Sequence, residues 1–173
     1  RMGKEKKNPI GVIGGQIIRH KGFLDFNGLI KGIPRWLAQH GYDVFQKGHS
    51  QKQTGSGGYL EANWEATREA TDYVMFKIKV DIWLRDLNDV AVERNGKTVK
   101  MNRGNIEITF NSEMSKDYNK IFSNKEGEVT EFNKFIREIY EKHIIKSKLS
   151  AMEDKLLLET QTLMEYARTF LHR

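Results

Sequence analysis

Residues 73–84 read YVMFKIKVDIWL, and their alternation decides the fold. Val74, Phe76, Ile78, Val80, Ile82 and Leu84 fall on one side of an extended chain. Tyr73, Met75, Lys77, Lys79, Asp81 and Trp83 fall on the other. Period two held over twelve residues predicts a long strand with one buried face. Downstream, Val90 and Val92 lead into Arg94-Asn95-Gly96-Lys97, followed by Val99 and Met101. Asn-Gly between alternating runs predicts a tight hairpin, because both turn positions take positive φ. A second turn is expected at Asn102-Arg103-Gly104-Asn105. It opens a strand with Ile106, Ile108 and Phe110 inward and Glu107 and Thr109 outward.

Upstream, residues 42–53 read as a strand that runs into Thr54-Gly55-Ser56-Gly57-Gly58, a flexible hairpin tip. The return strand sets Leu60, Ala62, Trp64 and Ala66 against Glu61, Asn63 and Glu65. Short turns between consecutive strands predict an antiparallel meander rather than a parallel βαβ sheet. Helices flank it. Asp25 is the expected N-cap of a helix reaching His40, with Phe26, Leu29, Ile30, Ile33, Trp36 and Leu37 at helical spacing. Pro34 inside this pattern predicts a kink or two short helices, and Gly41 a C-terminal stop.

After a polar loop through Gly127, residues Phe132, Phe135, Ile136, Ile139, Tyr140 and His143 form a helical stripe, with His143 read as a partly buried packing residue. Residues 146–148 are expected to link to a last helix. Ser150 and Glu153 there have capping-box spacing, and Leu156, Leu163, Ala167 and Phe170 line its inner stripe. The fold class is therefore α+β: an antiparallel β-meander preceded by one kinked helix and followed by two C-terminal helices.

Charge divides the chain differently. Residues 1–24 hold Arg1, Lys4, Lys6, Lys7, Arg19 and Lys21 against Glu5, so +5 of the net +6 lies there and +1 is left for the rest. Residues 1–22 are read as a basic arm with a short apolar segment, in which Val12, Ile13, Ile17 and Ile18 make a short strand softened by Gly14-Gly15. Residues 23–173 are read as a single α+β domain. A dedicated nucleic-acid-binding domain carries its charge on a face or groove, whereas this body is nearly neutral. The arm residues Arg1, Lys4, Lys6, Lys7, Arg19 and Lys21 are the candidates for binding phosphate or another acidic surface.

With 173 residues the chain is long enough to bury a real core, and the absence of cysteine excludes disulfides, thiolate metal sites and cysteine nucleophiles. A reducing, cytoplasmic setting or a particle such as a virion is the expectation. No stretch approaches a membrane span. Residues 10–18 are apolar but broken by glycine and followed by Arg19, His20 and Lys21, so they read as mature protein and not as a signal peptide.

Catalytic chemistry finds no pattern. The five histidines, at positions 20, 40, 49, 143 and 172, have no i, i+4 pairing. Ser56, Ser112, Ser123 and Ser150 sit in loop or cap contexts without a nucleophile elbow, and residues 11–15 lack a phosphate-cradle pattern. Glu61, Glu65, Asp81 and Glu107 share the outward sheet face with Lys77 and Lys79, where cross-strand ion pairing is their ordinary role. No catalytic residue, cofactor or metal is expected.

That same face carries Tyr73, Lys77, Lys79 and Trp83. Aromatics among lysines on a sheet can stack bases. The interspersed acids favour a subunit contact instead, where tryptophan and tyrosine are enriched. A homo-oligomer or larger assembly is the expected partner state.

Two resemblances add expectations. The element order of short strand, kinked helix, meander and long last helix resembles the helix-grip domains that bind lipids and polyketides. That likeness implies an apolar cavity between the sheet and the last helix, and the extra helix at residues 132–143 departs from it. Phe23-Leu24-Asp25-Phe26, Trp36-Leu37, Glu61 with Trp64-Glu65, Asp72-Tyr73-Val74, residues 138–148 and Glu153-Asp154-Lys155-Leu156 resemble an uncharacterised archaeal-type family. This second likeness spans most of the chain after about residue 22 and implies no particular activity. The sequence as a whole favours a non-enzymatic structural or assembly component. The alternatives are a helix-grip-like binder of apolar ligands and a nucleic-acid accessory protein using its basic arm.

Overall fold

A computed structural model describes residues 10–122 and 130–172. Its order is β1 (Ile10–Leu24), α1 (Phe26–Gln39), β2 (Asp43–Thr54), β3 (Gly57–Glu69), β4 (Val74–Arg94), β5 (Lys97–Lys116), α2 (Glu131–Ile139), a π-helical turn (Tyr140–Ile144) and α3 (Lys146–Arg168). The five strands form one antiparallel sheet in the order β1-β5-β4-β3-β2. The chain thus starts on one edge, crosses through α1 to the other edge, and meanders back until β5 lies against β1.

The alternation in β4 is realised as expected. Val74, Phe76, Ile78, Val80, Ile82 and Leu84 are fully buried. Register aligns them with Ala66, Trp64 and Ala62 on β3 and with Met114, Phe110, Ile108 and Ile106 on β5. Helices α1 and α3 pack over this face, burying Leu29, Ile33, Trp36 and Leu37 from one and Leu156, Leu163, Met164 and Ala167 from the other. Burial of so many large side chains at about 1.5–3 kcal/mol each supplies the main driving force for the fold. Ser112 is the polar exception on the inner face, buried with no hydrogen-bond partner for its hydroxyl among the described residues.

Local signals account for several boundaries. The Asp25 side chain accepts from the Gly28 amide at 3.0 Å and caps α1. At the other end Gly41, with φ +83°, donates to the Ala38 carbonyl at 3.1 Å, and Tyr42 donates to the Leu37 carbonyl at 3.0 Å. This is a Schellman closure. Asn95 and Gly96 take φ of +52° and +75° at the β4–β5 turn, as a tight hairpin demands.

Other expectations are corrected. Helix α1 continues through Pro34 as one element, so the alternative of two short helices is not realised. Asn102-Arg103-Gly104-Asn105 is no turn, because β5 continues through it. Gly104 lies where β4 shifts register between Arg85 and Asn88. A Cβ there would stand 3.1 Å from Leu84 Cδ1 and 3.3 Å from the Arg85 carbonyl, so glycine serves close strand approach. The β4–β5 pair therefore runs on to its Asn95-Gly96 tip, beyond the reach of β3, whose pairing with β4 begins at Gly58–Leu87.

Residues 10–22 are not part of an arm. They belong to β1, paired to β5 from Ile10–Met114 to Leu24–Asn102, so a boundary after residue 22 would cut a strand. Helix α3 begins at Lys146, leaving Ser150 inside it and the capping box unused. Five residues in a wider π turn join α2 to α3, with Ile145 donating to the Tyr140 carbonyl at 3.0 Å. The two helices are therefore almost continuous, and no loop is left for a cap to terminate.

Candidate functional site

Four of the basic residues singled out in the sequence, Arg1, Lys4, Lys6 and Lys7, lie outside the described residues. Arg19 and Lys21 are strand residues of β1. The Arg19 guanidinium donates to Glu107 at 2.6 Å across the β1–β5 pair, and Lys21 faces Asn105 in register. The outward sheet face carries Lys77, Lys79 and Trp83 together, as expected. Lys77 pairs with Glu65 and Lys79 with Glu113, each at 3.4 Å. Such pairs add little stability. They do neutralise the lysines locally, so a phosphate backbone would have to displace carboxylates to reach them.

Trp83 is half-buried and held from two sides. Its Nε1 donates to the Tyr59 hydroxyl at 2.9 Å, and the Arg85 guanidinium lies 4.7 Å above its ring. Tyr59 in turn donates to Glu61. Tyr59 was not marked by alternation alone, since its contact depends on the pairing of β3 with β4, whereas Arg85 lies two residues from Trp83 on β4 itself. Phe45 on β2 joins this outer face opposite Glu65, and its side chain is exposed.

Tyr73 is a correction. It precedes β4 and is buried, away from Trp83. Its ring packs edge-on against Tyr140 at 5.4 Å and Phe122 at 6.2 Å, and its hydroxyl donates to Glu141. Lys116 Nζ donates to the same carboxylate at 2.7 Å and Arg137 Nε at 3.0 Å. Burial alone would raise the Glu141 pKa; the hydrogen bonds from Lys116, Tyr73 and Arg137 outweigh it and hold the carboxyl below its ordinary 4.5. Burial, with the Glu141 hydrogen bond, pushes the Tyr73 phenol up.

This cluster decides how α2 sits. Tyr140, Arg137 and Glu141 face the body, so the opposite side of the helix faces outward. That side is the apolar stripe. Phe132 is 69% exposed, Phe135 57%, Ile136 37% and Ile139 39%, and α2 has no buried residue. The stripe therefore forms a surface, and His143, expected to be a partly buried packing residue, is exposed as well. No local signal pointed this way: Arg137 and Glu141, an i, i+4 ion pair opposite the stripe, read by themselves as a solvated face.

A depressed carboxyl pKa stabilises docking above the unfolded value and loses that contribution as pH falls through the folded one. The docking of α2 is therefore expected to weaken progressively below pH 4.5. Amide protection factors across residues 131–144, corrected for intrinsic exchange, check this. They should fall on acidification in the wild type, whereas Glu141→Gln should show low protection already at pH 7. A wild-type profile flat down to pH 3 would contradict it.

Two open grooves lie elsewhere on the surface. One, of about 610 Å³, lies between β1 and α3 and is lined by Val12, Gln16, Leu157, Gln161, Met164 and Arg168 among others. The second, about 440 Å³, lies at the base of the long hairpin beside Lys21, Asp86 and Arg103. Among the described residues, no three His, Asp or Glu side chains gather as a metal site would require, and no helix is long and apolar enough to cross a membrane. Set against known protein families, curated proteins and solved structures, the chain matches none of them.

Proposed function

We propose that this protein is a non-enzymatic assembly component that associates with copies of itself, in a cytoplasmic complex or in a particle such as a virion. The observation that carries this reading is the outward apolar face of α2. Phe132, Phe135, Ile136 and Ile139 together present roughly 400 Å² of contiguous apolar surface, a patch of the size that marks interaction sites. Leaving it in water costs free energy that a partner surface would recover. The polar side of the same helix is spent on the Tyr73–Lys116–Glu141 cluster, so the exposure is built in by the fold.

Sedimentation velocity over a range of protein concentrations tests this. The wild type should show concentration-dependent self-association, and Phe135→Asp should weaken it at least about ten-fold while leaving the far-ultraviolet spectrum unchanged. A wild type that stays monomeric at several hundred micromolar would sink the reading. Any truncation testing the basic segment has to stop at residue 9, because β1 begins at Ile10.

The strand order favours one second reading. Closing β1 onto β5 while α3 crosses the inner face is the arrangement a helix-grip-like ligand binder would use. The inner face is filled by Phe76, Phe110, Ile78 and Met114, so room for a ligand lies in the open groove between β1 and α3.

A further inference from the structure

We propose that α2 pairs with α2 of a second copy, antiparallel, about a two-fold axis passing near Ile136. The proposal rests on the self-association reading above and specifies its geometry. At 100° per residue, Phe132 and Ile139 lie along the centre of the exposed face, with Phe135 and Ile136 to either side. Four side chains of this kind make a ridge short enough to be covered by one helix of equal length.

Charge selects both the occupant and the direction. One flank of the stripe carries Glu131, Glu138 and Lys142, with Lys134 behind them. Glu131 and Lys134 are solvent-facing, with side chains 93% and 55% exposed. In an antiparallel pair related by a two-fold axis, each flank meets its own copy in reversed order. An axis near Ile136 therefore places Glu131 beside Lys142 of the second copy, the two charged residues that lie nearest the stripe. Symmetry doubles this pairing. A parallel pair about a two-fold axis along the helices would instead bring this flank against the opposite one, which carries Asn133 and Tyr140, and would leave Glu131 and Lys142 without each other. The helix is thus complementary to itself in one direction only.

The size of the contact also fits a second copy. About 400 Å² of apolar surface from each helix makes about 800 Å² in total before the charged flanks are added, the size of a weak, transient contact. The expected complex is a reversible dimer of micromolar range. A larger assembly would need the outer sheet face or the grooves as additional contacts.

The chain contains no cysteine, so single-cysteine variants report the geometry cleanly. Ile136→Cys, nearest the axis, should give a disulfide-linked dimer under mild oxidation. Glu131→Cys should not, because its two copies stand roughly 15 Å apart in the antiparallel arrangement. Independently, Glu131→Lys and Lys142→Glu should each weaken association roughly five-fold or more, and the double exchange should restore it. Four outcomes are informative. Selective cross-linking at Ile136 with rescue by the double exchange supports the proposal. Association that Phe135→Asp abolishes, but with equal cross-linking at both positions and no effect of charge exchange, overturns the geometry and leaves self-association standing. A wild type monomeric at all concentrations overturns both. So does a monomer that partitions onto anionic lipid vesicles through the same four apolar residues.

Discussion

Phe110→Ala is expected to lower the unfolding free energy by about 4 kcal/mol and the Tm by on the order of 10 °C. Phe110 is fully buried at the middle of β5, the strand that joins the two ends of the sheet. Its register partners are Val80 on one side and Gln16 on the other, and the phenyl ring packs in the inner-face core covered by the helices. Truncation removes the transfer free energy of the ring and leaves a cavity whose walls are strands hydrogen-bonded on both edges, so they cannot collapse into it. Urea unfolding followed by tryptophan fluorescence measures the loss. A decrease under 1 kcal/mol would mean that β5 is not the packed centre of the sheet. The conservative Phe110→Leu should recover more than half of the loss, since the space is filled by an apolar side chain again.

Glu159→Ala is expected to cost about 3 kcal/mol, through electrostatics rather than volume. Glu159, on α3, accepts from Arg68 Nη2 at 2.6 Å and from the Tyr42 hydroxyl at 2.5 Å, joining the last helix to β3 and to the residue before β2. The Arg68 guanidinium lies over the rings of Tyr42 and Phe76 at 5.0 and 5.3 Å, and its side chain is only 20% exposed. Removing the carboxylate leaves that cation largely buried without a counter-charge. Burial, reinforced by the Glu159 hydrogen bond and charge, also pushes the Tyr42 phenol up, so the phenol remains a donor throughout the physiological range. A double-mutant cycle separates the terms. Arg68→Met alone should also destabilise, whereas Arg68→Met with Glu159→Ala should cost clearly less than the sum of the two, because no unpaired charge remains. If the two single changes simply add, the pair is not coupled.

These two sites differ in how far their residues announced them. Phe110 was readable from the alternation of Ile106, Ile108 and Phe110 with Glu107 and Thr109, because a strand's faces follow from spacing alone. The Arg68–Glu159 pair was not. Its members are 91 positions apart, and nothing local relates a residue near the end of β3 to one on α3. The same contrast separates Trp83, whose place on the outer face followed from period two, from Tyr73, one residue before β4 begins in the structure. The chain leaves the strand before Val74, so the alternation no longer governs Tyr73, and the aromatic contacts with Tyr140 and Phe122 turn it inward.

Sequence by itself determined the elements whose causes are local. Among them are the β4 alternation, the Asn95-Gly96 turn, the Asp25 cap and the Gly41 closure of α1, and the meander that follows from short connections. Only the tertiary structure decided what depends on distant partners. It carried β5 straight through Gly104, because the opposing strand shifts register there and approaches closely. It joined residues 10–22 to the sheet, because β5 presents an edge for them to pair with. Above all it decided which way α2 faces. The stripe of Phe132, Phe135, Ile136 and Ile139 fixes that the helix is amphipathic, but an apolar stripe is equally the mark of a core helix and of an interface. The ion cluster at Glu141, assembled from β5, α2 and the residue before β4, docks the polar side and leaves the apolar side outward.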